Sequence, residues 1–440
     1  MNTRTKLRTT AGATLLAFLL LMTTVFIAAR PTEASPATDP PDQVLEWNQI
    51  FIDTLIATNT ANSSSQRLGA IVQSAVFDAY NGIERRYTPI YVNTEAPRGA
   101  SRRAAVIAAA YTTLAGLFPS RQTQLYANYL ASLDALSDDG GDGGKSRERG
   151  IAWGTFVAQQ VLAWRSADGF SVSQPAFIGG TTVGQWRPTI TQNATCTSMS
   201  AQPLAFTSMF VLQSNELFRP PPPRGLNDGS YVSDLAAVKS LGAISGSTRT
   251  SEQTALAPFW EGNASTHWNQ AANQLARANG LSMSENSRLF AVLNVAMADT
   301  AFTVWSAKRY YGADSGSVTW RPFTAIREGS IDSDPTWRPL VNTPCHPEYP
   351  AGHPAQNGAA STILLNKFGD GSGSFVLTTG SASFTYGSIM QAREDGNNAR
   401  IWGGMHYPST VTISDALGSS IGLYVDQTAM QRLNGADNLE

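Results

Sequence analysis

The chain is short of charge. Only 15% of its 440 residues are Asp, Glu, Lys or Arg, and the formal net charge is −2. About 25% is usual for a soluble domain. An unfolded polyelectrolyte and a histone-like binder of nucleic acid both need more charge of one sign, so both are excluded. Cysteine is scarcer still, with only Cys196 and Cys345. Two cysteines build neither a disulfide framework nor a cysteine-rich zinc site. A single bridge between them in an exported protein and a free buried thiol both stay open. Histidine is limited to His267, His346, His353 and His406, three of which fall in the last hundred residues. Long apolar runs are missing beyond the N-terminus, which excludes a multi-span membrane protein.

The first residues have the pattern of an export signal. Arg4, Lys6 and Arg8 precede an uncharged apolar run from Ala11 to Ala29, and Pro- and Thr-rich sequence follows from Pro31. A basic region ahead of an apolar one is the secretory arrangement. Residues 1–34 are therefore read as a signal peptide, with an uncleaved anchor as the alternative. The expected location is secreted or periplasmic, with no other membrane attachment.

What remains, 35–440, reads as one helical domain. Apolar residues recur at three- and four-residue steps over Val44–Thr58, Gln66–Ile83, Arg102–Leu117, Gln122–Leu136 and Ser146–Ser166. They do so again over Tyr231–Leu241, Ser251–Phe259, Trp268–Ala278, Asn286–Lys308, Pro354–Phe368, Phe384–Asp395 and Pro408–Gln427. Asp138–Gly144 is a Gly/Asp loop. Pro175–Asn227, with its Pro220–Pro223 run, has little periodicity and is expected as an irregular connection over the surface. Gly312–Pro350 is expected to be irregular too, and Ser374–Thr379 is the best strand. The fold class is all-α: two helical bundles, an N-terminal half at about 44–200 and a C-terminal half at about 250–430 that holds the site.

Three segments carry the chemistry. They are Lys308 with Trp320-Arg321-Pro322, Pro344-Cys345-His346-Pro347-Glu348-Tyr349-Pro350-Ala351-Gly352-His353, and Arg400-Ile401-Trp402-Gly403-Gly404-Met405-His406. His353 and His406 each sit in a glycine-containing turn just before a helical pattern. Free backbone N–H groups and the helix dipole favour an anion there. Arg321 and Arg400 add planar guanidinium forks and Lys308 a point charge, a set suited to a tetrahedral oxyanion. One histidine can bond to the central atom and the other can move protons. A histidine in a loop is more often a plain hydrogen-bonding group, and spacing alone does not bring these segments together.

The three segments resemble the signature of the superfamily of vanadium-dependent haloperoxidases and type 2 phosphatidic acid phosphatases: Lys…Arg-Pro, Pro-Ser-Gly-His, and Arg followed six residues later by His. The stretches at 321–327 and 343–353 look like the bacterial haloperoxidase branch, and the likeness extends over about 65–425. The resemblance implies two helical bundles. It implies that His406 binds vanadium in a peroxidase or attacks phosphorus in a phosphatase, and that His353 is the acid/base. It further implies that Lys308, Arg321, Arg400 and the Gly352 N–H hold the oxygens of vanadate, with phosphate able to occupy the same place. His346, seven residues before His353, stands where bromide-oxidising members often carry histidine and chloride-oxidising ones an aromatic. That implies bromide or iodide ahead of chloride, or a residue that only tunes His353.

The chain departs from that signature. Ala351 replaces its serine, which removes one hydroxyl hydrogen bond worth about 1 kcal/mol. The interval from Lys308 to Arg321 is longer by about Gly312–Ser317. Position 410 is Thr where phosphatases often carry aspartate, which weighs against a phosphatase. The expected function is oxidation of halide by hydrogen peroxide, with hypohalous acid released or passed to an organic acceptor. An exported acid phosphatase working through a phosphohistidine, and a non-catalytic oxyanion binder, are the alternatives. The expected partners are these small molecules, with no nucleic acid; a homo-oligomer stays open. Asp299 is read either as a partner for an active-site arginine or as a helix-surface carboxylate, and His267 as structural. Asn62, Asn193 and Asn263 stand in glycosylation sequons that matter only in a glycosylating host.

Overall fold

Side chains that accept backbone N–H groups set the starts of several helices. Asp42 accepts the N–H groups of Val44 and Leu45 and begins α1 (Gln43–Ala57). Thr250 with Gln253, and Ser282 with Glu285, form reciprocal capping boxes at α7 (Ser251–Phe259) and α9 (Met283–Ala313). The computed structural model describes residues 42–136, 142 and 144–433. Residues 1–34, expected as a signal peptide, and most of the Asp138–Gly144 loop lie outside them.

The other helices are α2 (Asn62–Glu84), α3 (Arg102–Leu117), α4 (Gln122–Asp134), α5 (Lys145–Ser166), α6 (Gly229–Gly242), α8 (Ala264–Ala278), α10 (Pro322–Glu328), α11 (Gly352–Phe368), α12 (Ile389–Trp402) and α13 (Pro408–Thr428). The first bundle packs α2 against α3 and α5; the second packs α11 against α13 and α12. α9 touches α2 on one side and α11 and α13 on the other, and so belongs to both. Its sequence explains why. It is apolar or small nearly all round, its 18-residue apolar window is 94% buried, and it is the one described helix long and apolar enough to cross a membrane. A helix apolar all round is either a core helix or a membrane span, and this degree of burial inside the protein marks a core helix.

Close approach of α11 and α13 fixes the site. A Cβ on Gly418 would lie 1.8 Å from the Ala355 carbonyl oxygen, and one on Gly358 would lie 2.2 Å from that of Asp415. Two glycines thus let the backbones of α11 and α13 meet. The starts of these two helices carry His353, in the first turn of α11, and His406, just before α13.

Three regions differ from their sequence patterns. Phe384–Asp395 is not one helix. An antiparallel hairpin pairs β1 (Phe375–Thr379) with β2 (Ala382–Tyr386), and α12 starts only after Ser388 caps it. Gly380, at φ +58, makes the turn that keeps β2 out of helix. Gly312–Pro350 contains α10, which starts with Pro322 at its first position, where a missing N–H costs nothing. Pro175–Asn227 is irregular apart from a short 3₁₀ segment at Gln202–Phe206, but it does not merely cross the surface. Trp186, Leu204, Phe210 and Leu212 are buried, and the N–H groups of Phe210, Val211 and Leu212 all donate to the Asp299 carboxylate. A strand-like ladder is unnecessary when one buried carboxylate satisfies three backbone donors.

Candidate oxyanion site

His406 lies two residues before α13. Gly404, at φ +78, forms the turn that presents it, and a Cβ there would press on Pro339 at 2.7 Å and the Gly242 carbonyl at 2.8 Å. Only glycine suits both constraints. His353 is in the first turn of α11, whose N-cap Ala351 offers no side-chain cap.

Arg321 joins the histidines. Its Nη1 donates to the His406 Nε2 at 2.9 Å and its Nη2 to the His346 Nδ1 at 2.9 Å. Its Nε donates to the His346 carbonyl and Nη1 also to that of Met405, at 2.9 and 3.0 Å. A guanidinium only donates. Both ring nitrogens it meets must therefore accept, which fixes both tautomers. His406 carries its proton on Nδ1, and that N–H donates to the Glu348 carboxylate at 2.8 Å. His346 carries its proton on Nε2. The His346 Nδ1 also lies 3.2 Å from the Pro347 carbonyl; as an acceptor it makes no bond there. Glu348 accepts further from the Tyr407 N–H at 3.2 Å and the Thr410 hydroxyl at 3.0 Å.

Lys308 is fully buried. Its Nζ donates to the carbonyls of Pro347 and Glu348 at 2.6 and 3.2 Å. Lys308 and Arg321 do not line the cavity described next; they hold the loop that does. Burial and then the Arg321 charge push the Lys308 pKa well down, while Glu348 opposes the shift. Burial raises the Glu348 carboxyl to about 7, against Arg321 and Lys308. Burial, Arg321 and Lys308 hold the His406 imidazole far below its ordinary range and so neutral. An added anion would relieve the mutual repulsion of these cations.

Beside them is a cavity of about 280 Å³. Its wall includes His346, Gly352, His353, Arg400 and His406, with Trp305 and Glu261. Arg400 donates through Nη1 to the Trp260 carbonyl at 2.9 Å and through Nη2 to the Met405 sulfur at 2.8 Å. Its Nε is buried without a partner among the described residues. A Cβ on Gly352 would meet only the Trp305 ring, at 3.6 Å, so the glycine keeps this wall open beside the start of α11. An orphaned guanidinium N–H, a bare helix start and a neutral imidazole acceptor fit a tetrahedral oxyanion such as vanadate.

His353 has a partner for either state of Nε2. Asn62 Oδ1 accepts from Gln66 Nε2 at 3.0 Å and the Ala264 N–H at 2.9 Å, so Asn62 Nδ2 is a donor, and it lies 3.3 Å from the His353 Nε2. The Gly262 carbonyl lies 3.2 Å from the same nitrogen. A bare Nε2 accepts from Asn62, and a protonated one donates to Gly262. Such a ring can lose and regain a proton without losing its place.

Seven residues were expected at the site: Lys308, Arg321, His346, Gly352, His353, Arg400 and His406. The structure brings all seven to one end of the α11–α13 pair, five on the cavity wall and two behind its loop. Asp299 is elsewhere. It is buried against the 210–212 backbone, where its charged neighbour is Arg165, so it pairs with no site arginine. Glu261 faces Arg400 instead, with burial raising its carboxyl and Arg400 lowering it. Glu348, Glu261 and Asn62 went unrecognised as site residues. Glu348 was legible only as part of a motif, and Asn62 only as a sequon. Cys196 and Cys345 form a disulfide, with Cα atoms 5.4 Å apart, which ties the cavity-wall loop to the 175–227 connection.

Residues 288–435 match the family model described as the VCPO second helical-bundle domain. The second bundle of the chain is thus similar to that domain. The chain shares its fold with the crystal structure of a bacterial vanadium-dependent iodoperoxidase: TM-score 0.76, 22% identity, 91% of this chain and 99% of that one covered. It is also similar to a holo-type bacterial vanadium-dependent chloroperoxidase: TM-score 0.65, 18% identity, 84% and 92% covered. The apo-type chloroperoxidase gives TM-score 0.64 at 17% identity, with 83% and 92% covered. No curated protein sequence matches the chain.

Proposed function

We propose that this protein is a vanadate-dependent haloperoxidase that uses hydrogen peroxide to oxidise halide, iodide or bromide ahead of chloride, to hypohalous acid. The observation that carries the reading is the Arg321 fork, which makes Nε2 of His406 an unprotonated acceptor, on a cavity wall that also includes Arg400 with its unpartnered Nε. Bound vanadate would supply a Lewis acid that polarises peroxide without a change of oxidation state. His406 would bond to it through Nε2. Arg321, Arg400, Lys308 and the Gly352 N–H would neutralise its oxygens. His353, with a partner for either state of Nε2, would take the peroxide proton and return it. His346 turns Nε2–H away from Arg321 and adds a donor at the cavity wall, where a purely apolar ring would add none. That, with the iodoperoxidase likeness, supports a larger halide.

A second reading has its own support. Glu348 on the Nδ1 of His406 gives the imidazole an orienting carboxylate, as a histidine that attacks phosphorus would have. In an acid phosphatase, His353 would protonate the leaving alkoxide. The disulfide and the N-terminal pattern support export to an oxidising compartment.

Bromination of monochlorodimedone separates these readings. Turnover only after orthovanadate is added supports the peroxidase. Hydrolysis of p-nitrophenyl phosphate that vanadate inhibits supports the phosphatase, and neither activity in folded protein leaves a binder. His406→Ala is expected to abolish whichever activity is present; full retention would remove His406 from the reaction.

A further inference from the structure

We propose that Glu348 is the positioning residue for His406: its carboxylate takes the Nδ1–H and so keeps the Nε2 lone pair turned to the oxyanion. This deepens the oxyanion reading of the site and rests on it.

The geometry is closed on every side. Glu348 Oε1 receives two donors, Nδ1 of His406 at 2.8 Å and the Tyr407 N–H at 3.2 Å. Oε2 receives the Thr410 hydroxyl at 3.0 Å. These donors come from the turn before α13 and from its first helical turn, whereas Glu348 comes from the loop before α11. The carboxylate therefore links the two histidine-bearing segments as well as setting one ring. The loop itself is held by Lys308, which donates to the Glu348 carbonyl at 3.2 Å, and the Glu348 N–H donates to the Thr319 carbonyl at 2.8 Å. Glu348 is fully buried, so no water competes for its oxygens.

The two faces of the imidazole are assigned independently. Arg321 can only donate, so Nε2 accepts; Glu348 can only accept when ionised, so Nδ1 donates. Both constraints select the same tautomer. Arg321, however, has an oxyanion to turn to when one binds, and its hold on Nε2 is then lost. From that moment Glu348 alone selects the tautomer. Partners of this kind, behind a ligating histidine, fix ring orientation, and their loss typically weakens ligand binding about 10–100-fold.

The test uses the full chain with ¹⁵N-labelled histidine. Two-bond ¹H–¹⁵N correlation spectra assign the tautomer of His406 without any ligand, and orthovanadate titration by calorimetry gives affinity. In the wild type, Nδ1–H is expected. Glu348→Met keeps the bulk and removes both acceptors; without ligand Arg321 still holds Nε2 as an acceptor, so the variant is expected to keep Nδ1–H but to bind orthovanadate about 10–100-fold more weakly. Glu348→Gln is the rescue. Its amide oxygen faces the two donors and its amide nitrogen faces the Thr410 hydroxyl, so orthovanadate affinity is expected to stay close to that of the wild type. Orthovanadate affinity unchanged in Glu348→Met would overturn the proposal while leaving the oxyanion site in place. A wild type that shows Nε2–H overturns it without any variant, should Glu348→Met fail to fold. A wild type that binds no orthovanadate removes the oxyanion reading, and the proposal with it.

Discussion

Arg321 donates to the Nδ1 of His346 and to the Nε2 of His406 at the same distance, 2.9 Å, and thereby sets two histidines in opposite tautomers. One rigid fork does this because its N–H groups point in fixed directions. A lysine ammonium at the same place could reach one ring or the other, but it has no fork. Arg321→Lys is therefore expected to lower orthovanadate affinity at least 10-fold, with the fold intact. Calorimetric titration beside a thermal melt checks it, and equal affinity would mean that charge alone suffices at this position.

Ala351 stands at the N-cap of α11 without a capping side chain, next to the helix-start N–H groups that face the site. A hydroxyl there would satisfy an orphan N–H or an oxyanion oxygen. Ala351→Ser is expected to raise thermal stability by about 0.5–2 kcal/mol in the ligand-free protein. It is also expected to tighten orthovanadate binding by about 1 kcal/mol, close to 5-fold. Denaturant melts and titration separate the two effects. A drop in both would show that the buried Ala351 cannot take an added oxygen.

The sequence patterns carried the helical frame because core helices announce themselves by apolar spacing, and α9, α11 and α13 have strong spacing. They carried the site's cations and histidines because these residues fall in three short segments that each resemble a known signature. Glu348 and Asn62 were hidden for a physical reason. Their roles depend on which donors surround them, and those donors come from Tyr407, Thr410 and Ala264, far away in sequence. Thr410 is instructive. It looks like the loss of a carboxylate, yet its hydroxyl donates to the carboxylate that Glu348 brings from another segment. Asp299 shows the reverse. Its helix placed it near the site arginines on paper, but the irregular 210–212 backbone, which has no periodic signal, claims it first.

The Cys196–Cys345 bridge spans 149 residues and ends one residue before His346. Closing so long a loop removes much entropy from the unfolded chain, so reduction is expected to cost about 2–5 kcal/mol of stability. The freed loop also carries the His346 carbonyl and ring nitrogen that Arg321 grips, so orthovanadate affinity is expected to fall on reduction. Guanidinium melts and titrations with and without dithiothreitol test both. If stability falls and affinity does not, the loop is held by Lys308 and Arg321 alone.

The His267 pKa is shifted by burial alone, which gives it an acid signature of its own. It is fully buried between Phe259 and Trp260, its Nε2 lies 2.5 Å from the Thr379 hydroxyl, and its Nδ1 has no partner. Burial pushes its pKa down to about 3, below the roughly 6.5 of an unfolded chain. Between these values the unfolded state binds a proton that the folded state does not. Stability is therefore full above pH 6.5 and is lost as pH falls toward 3, by about 1.4 kcal/mol per pH unit. Asp78, whose carboxyl burial raises to about 6, acts with the opposite sign in part of this window but is the same in any His267 variant. His267→Gln keeps a group for Thr379 and cannot protonate. From pH 6.5 to 4.5 it is expected to lose about 2–3 kcal/mol less stability than the wild type in urea melts. Parallel pH profiles would mean that the buried ring finds a counter-charge or water on protonation.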